Sequence, residues 1–184
     1  MTINIPKQNK KILKLLSIGF LLLLLFSILA YGFGLRINFS KSYPVGIYKT
    51  THKQSLEKGD LVIFCPKNSP LMQQALQRNY LKPGFCKGGF YPLLKKVVAL
   101  EGDIVEINSS VYINNREVPN SQLLTHDGDN NPLPSLKNSR RKLSKSYMFV
   151  MSDYYNRSFD SRYFGSVEVS SVLSHVEPIY IFQK

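Results

Sequence analysis

The segment 15–35 constrains the fold most, because it contains no charged residue over its whole length. Its centre is the run Leu-Leu-Leu-Leu-Leu-Phe at 21–26. As a helix, such a segment would be roughly 31 Å long at about 1.5 Å per residue, which is the thickness of the hydrocarbon core of a bilayer. The segment therefore predicts a single transmembrane anchor.

Charge on either side of this segment predicts its orientation. No acidic residue occurs before Glu57. The residues that precede the apolar segment include four lysines: Lys7, Lys10, Lys11 and Lys14. By the positive-inside rule, we expect residues 1–14 to be a basic cytoplasmic tail and residues 15–35 to span the inner membrane. Residues 36–184 would then form one periplasmic domain.

A cleaved secretory signal is the alternative interpretation of the same segment. Ala30 and Gly32 supply the small residues that a cleavage site needs. Cleavable apolar regions, however, usually contain only ~7–15 residues. The length of the segment therefore favours a permanent anchor.

The net charge of +12 bears on possible partners. Part of it belongs to the N-terminal lysines, and most other basic residues are scattered. The clearest cluster of basic residues consists of Lys137, Arg140, Arg141, Lys142 and Lys145. A domain held against anionic lipid headgroups has a simple reason to be basic. We therefore expect the lipid bilayer as a partner, and no nucleic acid.

Cys65 and Cys86 both follow the anchor, on the side where the compartment is oxidising. A bridge between them would stabilise the fold by roughly 3 kcal/mol in the loop-entropy model. Two buried free thiols are the alternative. No histidine or third cysteine lies close in sequence, so we expect no metal site, and no pattern of residues indicates a cofactor.

Short apolar runs with turn residues between them indicate a mainly β domain of packed antiparallel sheets. The predicted strands are 60–64, 93–100, 103–107, 111–113, 147–151 and 179–182. One helix is predicted to begin at Ser69-Pro70 and to end before Pro83. The polar stretch 119–143 has no regular period and is expected to be a surface excursion.

Ser42 is the first candidate for catalysis, since Pro-Val-Gly at 44–46 should turn the chain just after it. At such a turn a hydroxyl is exposed, and the backbone N–H of the same residue can face a developing oxyanion. An ordinary turn serine is the alternative.

Lys95 and Lys96 are adjacent in an apolar strand, so their side chains point to opposite faces. One of them should enter the interior, where burial disfavours the charged ammonium and lowers the pKa. A lysine of that kind can serve as general base for a serine hydroxyl. The alternative is a doubly basic edge strand that resists aggregation.

The segment Ser-Phe-Asp-Ser-Arg at 158–162 contains groups that a buried lysine could use. Ser158 could accept a hydrogen bond from the amine, and Asp160 and Arg162 could form an internal ion pair. A solvated polar turn is the alternative.

In order and spacing, three segments resemble those of the type I signal peptidases: Ser-Tyr-Pro at 42–44, the Lys95 strand to Asp103, and 156–165. The sequence is most similar to the conjugative-transfer branch, the TraF-like peptidases. That similarity rests on the segment 38–48 and on the surroundings of the two cysteines.

The resemblance implies a mostly β domain of coiled antiparallel sheets and a Ser/Lys dyad. Ser42 would be the nucleophile and Lys95 the general base. Ser40 would be an oxyanion donor that works with the Ser42 N–H. Ser158 would orient the lysine, and Asp160 and Arg162 would form a structural ion pair.

The sequence departs from the family pattern at three places. Lys96 stands where arginine is frequent, and Tyr43 stands where methionine or leucine is frequent. Ser-Asp-Tyr-Tyr at 152–155 replaces Gly-Asp-Asn-Arg, which affects the geometry of the last motif.

We therefore predict a membrane-anchored serine endopeptidase that processes an exported, membrane-bound precursor protein, namely a conjugative pilin, by hydrolysis or by cyclisation. One alternative is a general type I signal peptidase that removes leader peptides. Another is a non-catalytic component of a secretion channel.

Overall fold

The computed structural model describes residues 7–182, and the chain divides into two compact units, Met1–Arg36 and Ile37–Lys184. The first unit contains helix α1, Lys7–Gly32. Within it, Asn9–Gly32 is long and apolar enough to cross a bilayer. In the described part of the chain, no other helix meets that condition.

The limits of α1 differ from those of the predicted anchor. Residues 7–14 of the expected tail are helical, and residues 1–6 of it lie outside the described part. The helix ends at Gly32, short of the predicted end at 35, and Gly34 follows with a φ of +82°. That left-handed conformation suits glycine and ends the helix.

The prediction of a mainly β domain is confirmed. The first strands and the second helix are β1 Leu35–Asn38, β2 Gly46–Thr51, β3 Leu61–Phe64, α2 Pro70–Gln77, β4 Leu93–Ala99, β5 Ile104–Ile107 and β6 Val111–Ile113. The remaining elements are β7 Arg116–Glu117, β8 Ser139–Lys142, β9 Tyr147–Met151, α3 Ser161–Phe164, β10 Val167–Glu168, a 3₁₀ turn Val169–Ser171 and β11 Val172–Ile181. A seven-stranded sheet has the order β1-β2-β11-β3-β4-β9-β10, and a four-stranded sheet has the order β7-β6-β5-β8.

Strand β9 supplies side chains to both hydrophobic cores. Met148 and Val150 belong to the core that α2 and β4 share, whereas Phe149 and Met151 belong to the core of the smaller sheet. Successive side chains of a strand point to opposite faces, so one strand can serve two cores. All four side chains are buried.

The disulfide between Cys65 and Cys86 is formed, with the two Cα atoms 5.5 Å apart, and this confirms the predicted bridge. The bridged segment contains α2, which begins as predicted: the Met72 N–H donates to Ser69 Oγ at 3.3 Å. The helix ends at Gln77, earlier than predicted.

The stretch 119–143 is not a structureless excursion, since its last part forms β8. This strand pairs with β5, and Arg141 lies opposite Val105. The strand was not predicted because Ser-Arg-Arg-Lys carries no apolar alternation, and its conformation comes from the pairing itself.

Candidate active site

Three side chains from distant parts of the chain meet at the Ser42 hydroxyl. Ser42 lies in the turn between β1 and β2, Lys95 is the third residue of β4, and Ser158 precedes α3. Lys95 Nζ lies 2.7 Å from Ser42 Oγ, and Ser158 Oγ donates to the same oxygen at 3.3 Å. The hydrogen bond of Ser158 thus runs to the serine, not to the lysine amine.

Lys95 is almost fully buried, with 2% of its surface exposed. It lies opposite Val62 in the pairing of β3 with β4. Burial lowers the pKa of Lys95 to about 8; the charge of Asp160 opposes this shift and that of Arg162 supports it. At neutral to mildly alkaline pH a useful fraction of the amine is therefore neutral and able to accept a proton.

The turn that carries Ser42 is held by side chains. Ser152 Oγ donates to the Ser42 carbonyl at 2.5 Å, and the Tyr48 hydroxyl donates to the Pro44 carbonyl at 2.8 Å. Among the hydrogen bonds of residues 7–182, none uses the Ser42 N–H. This N–H is therefore available to an anionic oxygen next to the hydroxyl.

Ser40, the expected oxyanion donor, lies in the same turn, and its hydroxyl donates to Asn38 Oδ1 at 2.8 Å. No chemical role was predicted from the sequence for Asn38, Tyr48 or Ser152. Asn38 and Tyr48 lie in the segment 38–48, and Ser152 opens the departing segment 152–155. Their location in these two segments was the only indication in the sequence that they lie near the site.

Asp160 and Arg162 are both fully buried and form a bidentate pair. Arg162 Nε lies 2.8 Å from Asp160 Oδ1, and Arg162 Nη2 lies 2.9 Å from Oδ2. Burial alone would lower the pKa of Arg162, yet the Asp160 carboxylate raises it above its ordinary value. The guanidinium is therefore charged at every accessible pH.

The rest of the Arg162 guanidinium binds backbone carbonyls. It donates to the carbonyls of Asn120, Gln122, Asn156 and Ser158. Asp160 in turn accepts the Ser152 N–H at 3.1 Å. The pair thereby fixes the two residues, Ser152 and Ser158, that contact Ser42.

Asp153 connects the neighbours of Ser42 and Lys95. Its carboxylate accepts the Tyr43 hydroxyl and forms an ion pair with Lys96, both at 2.5 Å. Burial would raise the pKa of Asp153, but the hydrogen bonds from Lys96 and Tyr43 hold it below its ordinary value. Two departures from the family pattern, Tyr43 and Lys96, are therefore partners of one carboxylate.

In residues 7–182, no group of three or more His, Cys, Asp or Glu side chains is arranged to hold a metal ion. The groups that meet at Ser42 are the Ser158 hydroxyl, which donates to Ser42 Oγ, the buried Lys95 amine, and the N–H of Ser42 itself. They can support nucleophilic attack on a carbonyl with proton transfer to the amine.

The model of the family described as signal peptidase, peptidase S26, matches residues 10–181. The chain belongs to this family, which confirms the resemblance inferred from the three segments and makes it a peptidase of the serine class.

Individual relatives indicate a particular branch of this family. The chain is 34% identical to "Plasmid transfer protein TraF" of Escherichia coli over 171 residues, which cover 92% of this chain and 96% of the relative. It is 39% identical to "Conjugal transfer protein TraF" of Agrobacterium tumefaciens (strain 15955) over 150 residues, or 81% and 84% of the two chains. Among solved structures, a signal peptidase I from Enterococcus faecalis V583 matches with a TM-score of 0.39 and 19% identity, covering 67% of this chain and 98% of that one.

Proposed function

We propose that this protein is a membrane-anchored serine endopeptidase in which Ser42 is the nucleophile and Lys95 is the general base. The observation that carries the proposal is the 2.7 Å contact between Lys95 Nζ and Ser42 Oγ, made by an amine that is almost fully buried. A structural lysine would rarely be buried against a hydroxyl alone, since a charged amine is costly there without an opposite charge in contact.

In the proposed reaction, the neutral Lys95 amine takes the Ser42 proton while Ser42 Oγ attacks the scissile carbonyl. The Ser42 N–H and the Ser40 hydroxyl stabilise the resulting oxyanion. Lys95, now an ammonium, gives its proton to the departing amine, and an acyl-enzyme ester remains on Ser42. Ser158 keeps the Ser42 hydroxyl directed towards the amine.

The acyl-enzyme can be resolved by either of two nucleophiles. Water, deprotonated by Lys95, gives a linear acid and restores the Ser42 hydroxyl. An amino group of the substrate itself attacks in the same way and gives a cyclic amide. Both routes use the same base and the same oxyanion donors.

The names of the relatives and the apolar helix support our proposal for the substrate class. The relatives are named as transfer proteins of plasmids and of conjugation, so we assign this chain to the processing of a conjugative pilin precursor. With the lysines of α1 on the cytoplasmic side, residues 36–184 lie in the periplasm. A precursor that is itself held in the inner membrane would present its cleavage site on that side.

The test is mass spectrometry of a conjugative pilin precursor incubated in lipid vesicles with the full-length protein. Wild type should yield a shorter product, and Ser42→Ala should leave the precursor intact. Ser55→Ala, at an exposed serine, is the matched control and should process normally. A product one water lighter than the linear peptide would show cyclisation. Normal processing by Ser42→Ala would contradict the proposal.

The pH dependence of kcat/KM should show the titration of Lys95. Because the base must be neutral, kcat/KM should rise with pH and reach half of its maximum near pH 8. The measurement is a pH–rate profile from about pH 6 to about pH 10 with Lys67→Ala, at an exposed lysine, as control. A profile without a rise in this range would exclude Lys95 as the base.

A further inference from the structure

The carboxamide of Asn38 lies at the centre of the turn that carries Ser42. Asn38 Oδ1 accepts the Ser40 N–H at 3.0 Å and the Ser40 hydroxyl at 2.8 Å. Asn38 Nδ2 has two protons and lies within hydrogen-bond distance of three carbonyls, those of Ser40 at 3.1 Å, Tyr43 at 3.0 Å and Pro44 at 3.1 Å, so that one of its N–H groups is shared between two of them. One side chain therefore engages both ends of the turn.

The turn depends on such contacts because its backbone has few other partners. It joins β1 to β2, Pro44 has no N–H to donate, and at its end the Val45 carbonyl accepts the Phe182 N–H at 2.9 Å. Carbonyls that converge on one amide fix the direction of the peptide planes between them. The peptide plane that contains the Ser42 N–H lies within this fixed stretch.

The contact of Asn38 with Ser40 has a direct chemical consequence. A serine hydroxyl has a single proton, so the Ser40 hydroxyl cannot donate to Asn38 Oδ1 and to an oxyanion at once. The Ser40 N–H stays bound to the same Oδ1 while the hydroxyl turns about χ1. The backbone of Ser40 is thus held in place while the Ser40 hydroxyl leaves Asn38 Oδ1 and becomes free to donate to the oxyanion.

We propose that Asn38 is a positioning residue of the peptidase reaction: it holds the Ser40 backbone from which the hydroxyl reaches the oxyanion, and it fixes the peptide plane that presents the Ser42 N–H. The proposal rests on the proposed function, since it requires Ser42 to be the nucleophile. Asn38 acts through Ser40 and the backbone, not by contact with the reacting atoms.

A purely structural role is the competing explanation, and a double-mutant cycle with Ser40 separates the two. The variants are Asn38→Ala, Ser40→Ala and the combination of both. The readouts are kcat and KM on the pilin precursor in vesicles, and thermal unfolding. Asn38→Leu is added because leucine fills a similar volume without hydrogen bonds. Asn108→Ala, in the turn between β5 and β6, is the matched control.

Asn38→Ala and Asn38→Leu should lower kcat roughly 10- to 100-fold, because an ill-placed oxyanion donor loses part of an effect that is typically ~10²–10³. KM should stay within about twofold, and the rise of the pH profile near 8 should not move, since Lys95 is untouched. The double variant should lose less than the product of the two single losses.

Three results would overturn the proposal. The first is a kcat of both Asn38 variants within about twofold of wild type, and the second is a loss in the double variant equal to the product of the single losses. The third is loss of the thermal unfolding transition in both Asn38 variants. Ser42→Ala in the same assay keeps the two proposals distinguishable. If Ser42→Ala is inactive and the Asn38 variants are fully active, only the positioning role fails. If Ser42→Ala is active, the proposed function itself fails.

Discussion

Replacing Lys95 by methionine should abolish processing of the precursor while making the fold more stable at neutral pH. The loss of rate should be about 10⁴-fold or more, the scale seen when a base is removed from a serine peptidase. Methionine has a similar length and no charge, so it fills the same buried space. Activity and stability are then expected to change in opposite directions.

The gain in stability follows from the pKa of the buried amine. Burial lowers the pKa of Lys95 from 10.5 to about 8, so between these values the unfolded chain binds more protons than the folded one. The free energy of unfolding of the wild type therefore rises with pH across this window, and below it carries a constant penalty of about 3 kcal/mol. Lys95→Met removes the penalty.

The measurement is urea unfolding at several pH values, alongside the vesicle assay. Lys95→Met should exceed wild type by up to about 3 kcal/mol at pH 7, and the difference should shrink towards pH 10.5. Lys67→Met, at an exposed position, should change neither activity nor stability. A Lys95→Met protein that is less stable at pH 7 would show that the lysine is buried in a paired, charged form.

Replacing Arg162 by methionine should destabilise the domain by about 3–5 kcal/mol, because it leaves the Asp160 carboxylate buried without its partner. Four backbone carbonyls, those of Asn120, Gln122, Asn156 and Ser158, also lose their donor. Activity should fall too, since Ser158 and Ser152 depend on this pair for their position.

Urea unfolding checks this prediction, with Arg157→Met at a neighbouring exposed arginine as control. The double variant Asp160→Leu with Arg162→Met removes both charges. Its loss of stability should be smaller than the sum of the losses measured for Asp160→Leu alone and for Arg162→Met alone, because no unpaired charge remains. Additive losses would mean that the pair contributes only through its separate contacts with the backbone.

Local patterns predicted most of the fold. Apolar runs identified β3, β4 and β9, and the proline after Ser69 marked the start of α2. Strands β2 and β8 were not predicted from the sequence. Their sequences are Gly-Ile-Tyr-Lys-Thr-Thr and Ser-Arg-Arg-Lys, and their extended conformation comes from pairing with the adjacent strands. Strand β11 was predicted only at its end, since its other residues lack a clear alternation and include Pro178.

The site was predictable to a similar extent. A lysine doublet in an apolar strand implies that one amine is buried, and Lys95 is the buried one. The residues around the lysine do not by themselves show which groups contact that amine, because those groups come from distant segments. The family resemblance supplied Ser42, which lies 2.7 Å from the amine. The partners of Asp153 and the turn around Asn38 were not predicted, nor was the contact of Ser158 with Ser42.

Because β9 packs into both hydrophobic cores, it bears on how the β-rich domain unfolds. Its side chains alternate between the two cores, so neither sheet can melt without removing packing partners from the other. The domain is therefore one cooperative unit in which partial opening is confined to surface segments. Cleavage of the backbone of this domain by other proteases would then require global unfolding.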